Sequence, residues 1–309
     1  MTNQLVQTIL QIIVGFLGAP LLAGFIKKVK ARMQRRQGPS IFQPYFDLRK
    51  LFGKTMTVSM VTSWIFRLAP FLEFGVAVLL LGAIPGPWLA GAAGMDIIMV
   101  LYLWGLARFF SALAGLDAGS AFGGMGSSRE MTIAAMIEPG MILTLLLVGY
   151  KAATLNIARL LQWADANQGW FFSPFYFFAV GAFLILLIAE TGRIPVDNPD
   201  THLELTMIHE GMILEYSGPY LALINMAFWI RQYLFYAIFV HLFLPGGFAG
   251  RAIWVYGANL AWFLLKIGAL ALVVSLIESG FAKMRLVKVS RLLWLAFALG
   301  LMGLLTIVF

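Results

Sequence analysis

Apolar runs of about 20 residues recur along the whole chain, and that recurrence leaves few folds open, because such a length matches the hydrocarbon thickness of a bilayer. About eight runs occur, near 5–26, 66–86, 95–115, 131–150, 172–190, 217–243, 252–277 and 290–309. A backbone in lipid must satisfy its own hydrogen bonds, so runs of this length predict helices. The chain therefore reads as an all-α, polytopic transmembrane bundle, one integral membrane domain over 1–309. Its composition agrees: 61% of residues are hydrophobic and 12% charged, and the mean hydropathy is +0.87, which excludes a soluble domain.

Charge order along the runs predicts their orientation. No Lys or Arg precedes the first run, whereas Lys27, Lys28, Lys30, Arg32, Arg35 and Arg36 follow it, so it reads as an N-out helix and not as a cleavable signal. Loops joining runs 1–2, 3–4, 5–6 and 7–8 hold the Lys27–Lys54 cluster, Arg129, Arg193, Lys283, Arg285, Lys288 and Arg291. The opposite side offers mainly Lys151, Arg159 and Arg251. The positive-inside rule then places both termini on the periplasmic or outer side of a cytoplasmic membrane. A net charge of +8 would suggest nucleic acid in a soluble protein; here the basic residues flank apolar runs, and the expected anionic contact is membrane lipid.

The chain has no Cys and three His, which removes iron–sulfur, c-type haem and ordinary zinc chemistry and predicts no metal or redox cofactor in this chain. Any redox step belongs to a partner.

Residues 189–218 concentrate six of the 14 acids, Glu190, Asp197, Asp200, Glu204, Glu210 and Glu215, together with His202 and His209. Within or beside the runs lie Glu73, Arg108, Glu138, Arg231 and Lys266. Charge at membrane depth is costly unless paired or wetted. Acids and bases gathered in one bundle hold some carboxylates ionised and drive others toward neutrality, which is what a proton wire needs. The plainer readings are structural ion pairs and a solvated acidic loop. Asp200 and Glu204 are four apart, and a helix persisting to Glu215 would bring all three acids to one face, although Pro195 and Pro199 bar helix before Asp200. His202 and His209 suit hydrogen bonding or proton sharing near pH 6.5 better than metal ligation.

The basic loop, 27–62, has turns at Gly38-Pro39 and Gln43-Pro44 and predicts a short amphipathic helix over Tyr45–Phe52, ended by Gly53. Its basic texture suits topogenesis, and its structure suits docking of an acidic soluble partner through Arg32, Arg35, Arg36, Gln43, Asp47 and Lys50.

The motif Arg32-Met-Gln-Arg-Arg-Gln-Gly-Pro, with Phe42-Gln-Pro-x-x-Asp47-x-x-Lys50-Leu after it, resembles the first cytoplasmic loop of the H-type membrane subunits of respiratory complex I. Ala189-Glu-Thr-Gly-Arg-Ile-Pro-Val-Asp197 and Glu215-Tyr-Ser-Gly218 resemble that family's acidic loop. Ser111-Ala-Leu-Ala-Gly-Leu-Asp117-Ala-Gly-Ser120, Gly126-Ser-Ser-Arg129-Glu130 and Glu138-Pro139 are similar to the membrane subunits of energy-converting group 4 NiFe hydrogenases, including formate hydrogenlyase. The resemblance implies a complex I-like membrane bundle that anchors a soluble arm and couples its redox chemistry to proton or sodium translocation. It implies a proton pathway through Glu138, Glu190, Asp197, Asp200, Glu204 and Glu215, with His202, His209 and Glu210 joining by rerouting. Arg108, Arg129 and Arg193 would supply supporting charge, beside the intramembrane Arg231 and Lys266. Implied partners are hydrogenase large and small iron–sulfur subunits, which would carry the NiFe centre and clusters, and antiporter-like membrane subunits. Two departures separate this chain from the quinone-reducing pattern: His at 202, and extra residues between Glu204 and Glu215. The alternatives are a quinone-site subunit of a complex I-like NADH-quinone oxidoreductase, whose first and third cytoplasmic loops would enclose a quinone head group, and an independent secondary transporter.

Overall fold

The structure, a computed structural model, describes residues 2–88, 94–197, 207–248 and 253–308. It contains α1 (Thr2–Met33), α2 (Gln43–Phe52), α3 (Trp64–Ala83), α4 (Ile97–Asp117), α5 (Ala121–Ala152), α6 (Ile157–Ala166), α7 (Pro174–Glu190), α8 (His209–Ile213), α9 (Gly218–Phe243), α10 (Ile253–Gly280) and α11 (Leu286–Val308). Among the described residues no β-strand forms; one isolated bridge joins Asp96 and Asn156. Seven helices, α1, α3, α4, α5, α9, α10 and α11, are long and apolar enough to cross a membrane. At 17 residues, α7 is shorter, yet a rise of about 1.5 Å per residue still carries it about 26 Å. Each predicted run is therefore a helix, and the protein is a multi-pass membrane bundle.

Helix ends follow local chemistry. Ser63, Asp96, Ser120, Asn156 and Ser173 each cap the helix they precede by accepting a backbone N–H. The first helix outlasts its apolar run and ends at Met33, so the opening of the basic loop is helical; Lys30 and Arg32 in its last turn complement the negative end of the helix dipole. The amphipathic segment is α2, opening at Gln43-Pro44 and closing at Gly53 as the turn residues require.

The ninth helix is the axis of the bundle. It packs against α1, α3, α7 and α10, and its stretch Gln232–Phe243 is buried on every face. Flanking it, α5 and α7 lie against α11, and α4 lies between α3 and α5. Between α7 and α9 the chain folds back into the bundle: Arg193, Ile194, Val196 and Asp197 are buried, with a cis peptide at Ile194–Pro195. Asp200, His202 and Glu204 lie outside the described residues. The helix imagined as reaching Glu215 stops at Ile213, where Tyr216 N–H turns back to the Ile213 carbonyl at 3.0 Å. Glu215 is left exposed beyond it.

One carboxylate joins three segments on this side. Asp117 Oδ2, at the end of α4, accepts from Ser63 N at 2.7 Å, Ser63 Oγ at 3.0 Å and Phe66 N at 3.3 Å. Phe66 stacks on Tyr216 with centroids 3.9 Å apart, and the Tyr216 hydroxyl donates to the Phe66 carbonyl at 2.8 Å. Asp117→Ala orphans these donors and is expected to cost about 1–3 kcal/mol. Thermal unfolding of the purified assembly, with proteolysis between 53 and 63 as a local readout, checks this; an unchanged midpoint and cleavage pattern would refute it.

Candidate functional site: carboxylates around a buried arginine

The fourth helix delivers Arg108, 6% exposed, into the junction of α4, α5 and α7. Its guanidinium donates through Nη2 to Glu190, the last residue of α7, and pairs through Nε with Glu130 at 3.4 Å and through Nη1 with Glu138 at 3.4 Å, both on α5. Three carboxylates thus converge on one cation. The Glu190 side chain is 4% exposed, whereas that of Glu138 is 53% exposed and reaches the outside of the bundle.

Beyond Glu190 the turn through Thr191 and Gly192 aims the next charge away from the first. Gly192 has φ 56, the left-handed region that a residue without Cβ adopts at no steric cost. Arg193 is then carried to Glu278 of α10 at 3.4 Å and donates to Gln232 Oε1 of α9 at 2.8 Å. Glu278 also meets Lys30 of α1 at 3.4 Å. Asp197, 4% exposed, accepts from Lys283 at 2.6 Å and from His209 N at 3.4 Å. A cavity of about 20 Å3, room for one water, lies among Arg108, Glu130, Glu190, Asp197, His209 and Arg231. Arg231 sits over the Phe228 ring at 5.4 Å and shares a second small cavity with Glu73 of α3.

The imidazole of His209 stacks on Phe228, centroids 4.8 Å apart. Burial first, then the Arg231 cation, push its pKa down to about 3, against an opposing pull from Asp197. His209 is therefore neutral near pH 7, and the expected titration near 6.5 is replaced by a neutral donor and acceptor.

The remaining predicted residues divide. Arg129 donates to the Met207 carbonyl at 3.0 Å and fastens the loop to α5. Glu210 opens α8 beside His209. Arg32, Arg35 and Arg36 are exposed and line a surface hollow with Lys28; Asp47 and Lys50 are exposed on α2, where Gln43 donates to Asp47 at 2.8 Å. Lys266 is elsewhere: it donates to the carbonyls of Leu244 at 2.9 Å and Gly246 at 2.8 Å, capping the far end of α9. Glu130, Glu278, Lys30, Gln232 and Lys283 join the network although sequence alone gives them no role in it. Glu130 closes the Gly126–Glu130 motif, and Glu278 sits one residue beyond the predicted end of its run. Among the described residues no group of His, Cys, Asp and Glu could hold a metal ion.

The fold and this buried charge network define a multi-pass membrane protein with a carboxylate-lined interior. The NADH dehydrogenase family matches residues 6–308, and the chain belongs to that family. Hydrogenase-4 component C of Escherichia coli (strain K12) is 34% identical over 287 residues, 91% of this chain and 89% of the relative. Formate hydrogenlyase subunit 4 of the same strain is 30% identical over 302 residues, 96% of each chain. NADH-quinone oxidoreductase subunit 8 of Thermus thermophilus is 28% identical over 306 residues, 92% of this chain and 80% of the relative. In fold the chain is similar to one in the membrane-bound sulfane sulfur reductase (MBS), an archaeal respiratory membrane complex, with TM-score 0.84 and 23% identity over 97% of this chain and 98% of that one.

Two outcomes follow from the geometry. Arg108→Met leaves buried Glu190 without its cation and is expected to cost about 3–5 kcal/mol, against less than about 1 kcal/mol for Glu138→Gln, whose side chain is half exposed. Assembly yield and thermal midpoint measure the difference; equal effects would contradict the assignment of Arg108 as the keystone. For His209 the folded pKa lies below the ordinary value of 6.5, so the unfolded chain binds the proton more readily. The stability from its neutral, buried form is complete above about pH 6.5 and is lost as pH falls toward about 3. His209→Gln should therefore show a smaller loss of stability between pH 8 and pH 5 than the parent; parallel curves would exclude this contribution.

Proposed function

We propose that this chain is the membrane subunit of a hydrogenase-like complex, in which it anchors a soluble redox arm and passes the energy of that arm into proton or sodium translocation. The observation that carries the reading is the junction at Arg108, where Glu130, Glu138 and Glu190 share one guanidinium. A cation held by three competing carboxylates leaves negative charge that an incoming proton can neutralise, and a small shift of the guanidinium changes which carboxylate is left unpaired. Charge arriving in the soluble arm acts on this balance through Asp197, Lys283 and the two loops that carry them. The chain stores no electrons itself; a NiFe centre and iron–sulfur clusters belong to hydrogenase large and small subunits, docked on the basic face of Arg32, Arg35, Arg36 and Lys50. Asp200, His202 and Glu204 follow Asp197 in the sequence and are assigned to the same acidic pathway. Both termini lie outside, and antiporter-like subunits continue the ion path within the membrane.

Glu138 supports a shared assembly over a stand-alone transporter. A carboxylate half exposed on the outside of an apolar bundle is stable only when a neighbouring chain or water covers it.

The test is to purify the complex through a tag on this subunit, determine its nickel, and follow hydrogen evolution and acidification in sealed vesicles. Nickel with hydrogen-linked, uncoupler-sensitive acidification is expected, and Glu190→Gln is expected to reduce protons moved per hydrogen by at least about tenfold. A nickel-free complex that reduces quinone would move the assignment to the quinone-reducing relatives, and recovery of the chain alone, active, would refute it.

A further inference from the structure

The end of the bundle opposite the carboxylates holds a second polar site that the pathway above does not use. A cavity of about 280 Å3 opens there between α1, α9 and α10, walled by Trp88, Asp165, His241, Tyr256, Asn259 and Lys266. Asp165 accepts from Gly246 N at 2.6 Å and Lys266 donates to the carbonyls of Leu244 and Gly246, so both charges at the mouth are held by the backbone that follows α9. At its floor His241, 5% exposed, donates through Nε2 to the Gly86 carbonyl at 2.7 Å and stacks on Phe263.

Gly86 is a meeting point. A Cβ there would stand 3.1 Å from Gln11 Cγ, a crowded contact, and 3.6 Å from the Tyr233 hydroxyl, an ordinary one, so the glycine gives Gln11 its room beside Tyr233. Gln11 Nε2 donates to the carbonyls of Leu81 at 2.9 Å and Ile84 at 2.5 Å, which commits the nitrogen and leaves Oε1 over. Gln11 Oε1 and the Tyr233 hydroxyl, at 1% and 2% residue exposure, make no hydrogen bond of ordinary geometry among the described residues. The Tyr236 hydroxyl and Gln232 Nε2 have no partner of ordinary geometry beyond their contact with each other. Tyr236 lies beside Gln232 with Arg193 and Glu278 in electrostatic reach, and Gln232 is already hydrogen-bonded to Arg193. His241 lies nine residues beyond Gln232 on α9, about 14 Å of rise. Tyr233 and Tyr236 fall in that interval, with Gln11 facing it from α1.

Four polar atoms buried on and beside one helix at this density cost about 1–3 kcal/mol each unless water reaches them. At Tyr233 and Tyr236 a phenylalanine would fill the same space with no hydroxyl to satisfy. We propose that α9 carries a proton route of its own, a file of waters running from the Arg193–Glu278 pair past Gln232, Tyr236, Tyr233 and Gln11 to the port beside His241. Water bridges the gaps: each water or tyrosine hydroxyl accepts one hydrogen and releases another, while Gln11 and Gln232 hold the waters in place and carry no proton themselves. Every side chain on the route thus ends in its starting charge. The route rests on the reading that this complex moves protons, and it runs across the membrane within this one subunit.

The chain has no Cys, which makes single cysteines informative. Gln7→Cys, Gln11→Cys and Tyr233→Cys, each in the assembled complex, are exposed to a membrane-impermeant thiol reagent from the outer side and read by mass spectrometry of this subunit. Labelling at all three is expected; labelling at Gln7→Cys alone confines water to the port and overturns the route. In vesicles, Tyr233→Phe keeps the ring and removes the hydroxyl, and protons moved per hydrogen evolved should fall by about tenfold or more. Loss in both Tyr233→Phe and Glu190→Gln supports the route. Loss in Glu190→Gln alone overturns it and leaves the carboxylate reading standing; loss in Tyr233→Phe alone keeps the route and removes the carboxylate reading.

Discussion

Burying a guanidinium costs several kcal/mol, and Arg108 is tolerable inside this bundle only because α5 and α7 bring carboxylates to it. That requirement orders much of the architecture. The seventh helix ends at Glu190, which sets that carboxylate against Arg108. The chain must then reverse at Gly192, so that Arg193 meets Glu278 and not the same three acids. The loop between α7 and α9 is consequently drawn into the bundle, where Asp197 needs Lys283 and the His209 amide in its turn. Each charge moved inward obliges a partner from a different helix, and α1, α4, α5, α7, α9 and α10 are connected in this way.

These obligations fall on one end of the molecule. Toward the other end, tyrosine and glutamine line the middle of α9, and charge returns only at the mouth with Asp165 and Lys266. Neutral groups are the cheaper choice where the walls are Phe263 and the apolar faces of α1 and α10, because desolvating a hydroxyl costs far less than desolvating a charge. The ninth helix is common to both halves, which accounts for its burial on every face and for its lack of a polar stripe.

The helices are legible in the sequence because the bilayer imposes a single length scale. All eight apolar runs form helices, including 172–190, where α7 is short. The amphipathic α2 is legible for a similar reason, with Pro44 and Gly53 as punctuation. What stays illegible depends on which helices meet. Glu130 and Glu138 are eight residues apart on α5, and nothing in that spacing says that both reach an arginine on α4. Glu278 reads as an interfacial acid at the end of its run, yet it is 2% exposed because Lys30 and Arg193 converge on it. Lys266 misleads in the opposite direction: a cation within an apolar run suggests the carboxylate network, whereas the free carbonyls at the end of α9 are what it satisfies. The titration expected of His209 fails because burial is a property of the fold and not of the residue type.

Under the proposed function, the exposed flank of the junction bears on how energy leaves it. If all three acids on Arg108 were enclosed, the charge balance would be a property of this chain alone, and nothing outside could read it. Glu138 breaks the enclosure, since half of its side chain faces outward at a depth where a lone carboxylate is expensive. The groove beside it, about 220 Å3 between α4 and α5, is apolar except where it ends at Arg108, Glu138 and Glu190. A neighbouring membrane chain laid along that groove would complete the burial of Glu138 and would sense directly which carboxylate the arginine had released. The same contact that stabilises the exposed acid would thus couple the two chains, so that stability of the assembly and transmission through it share one physical origin.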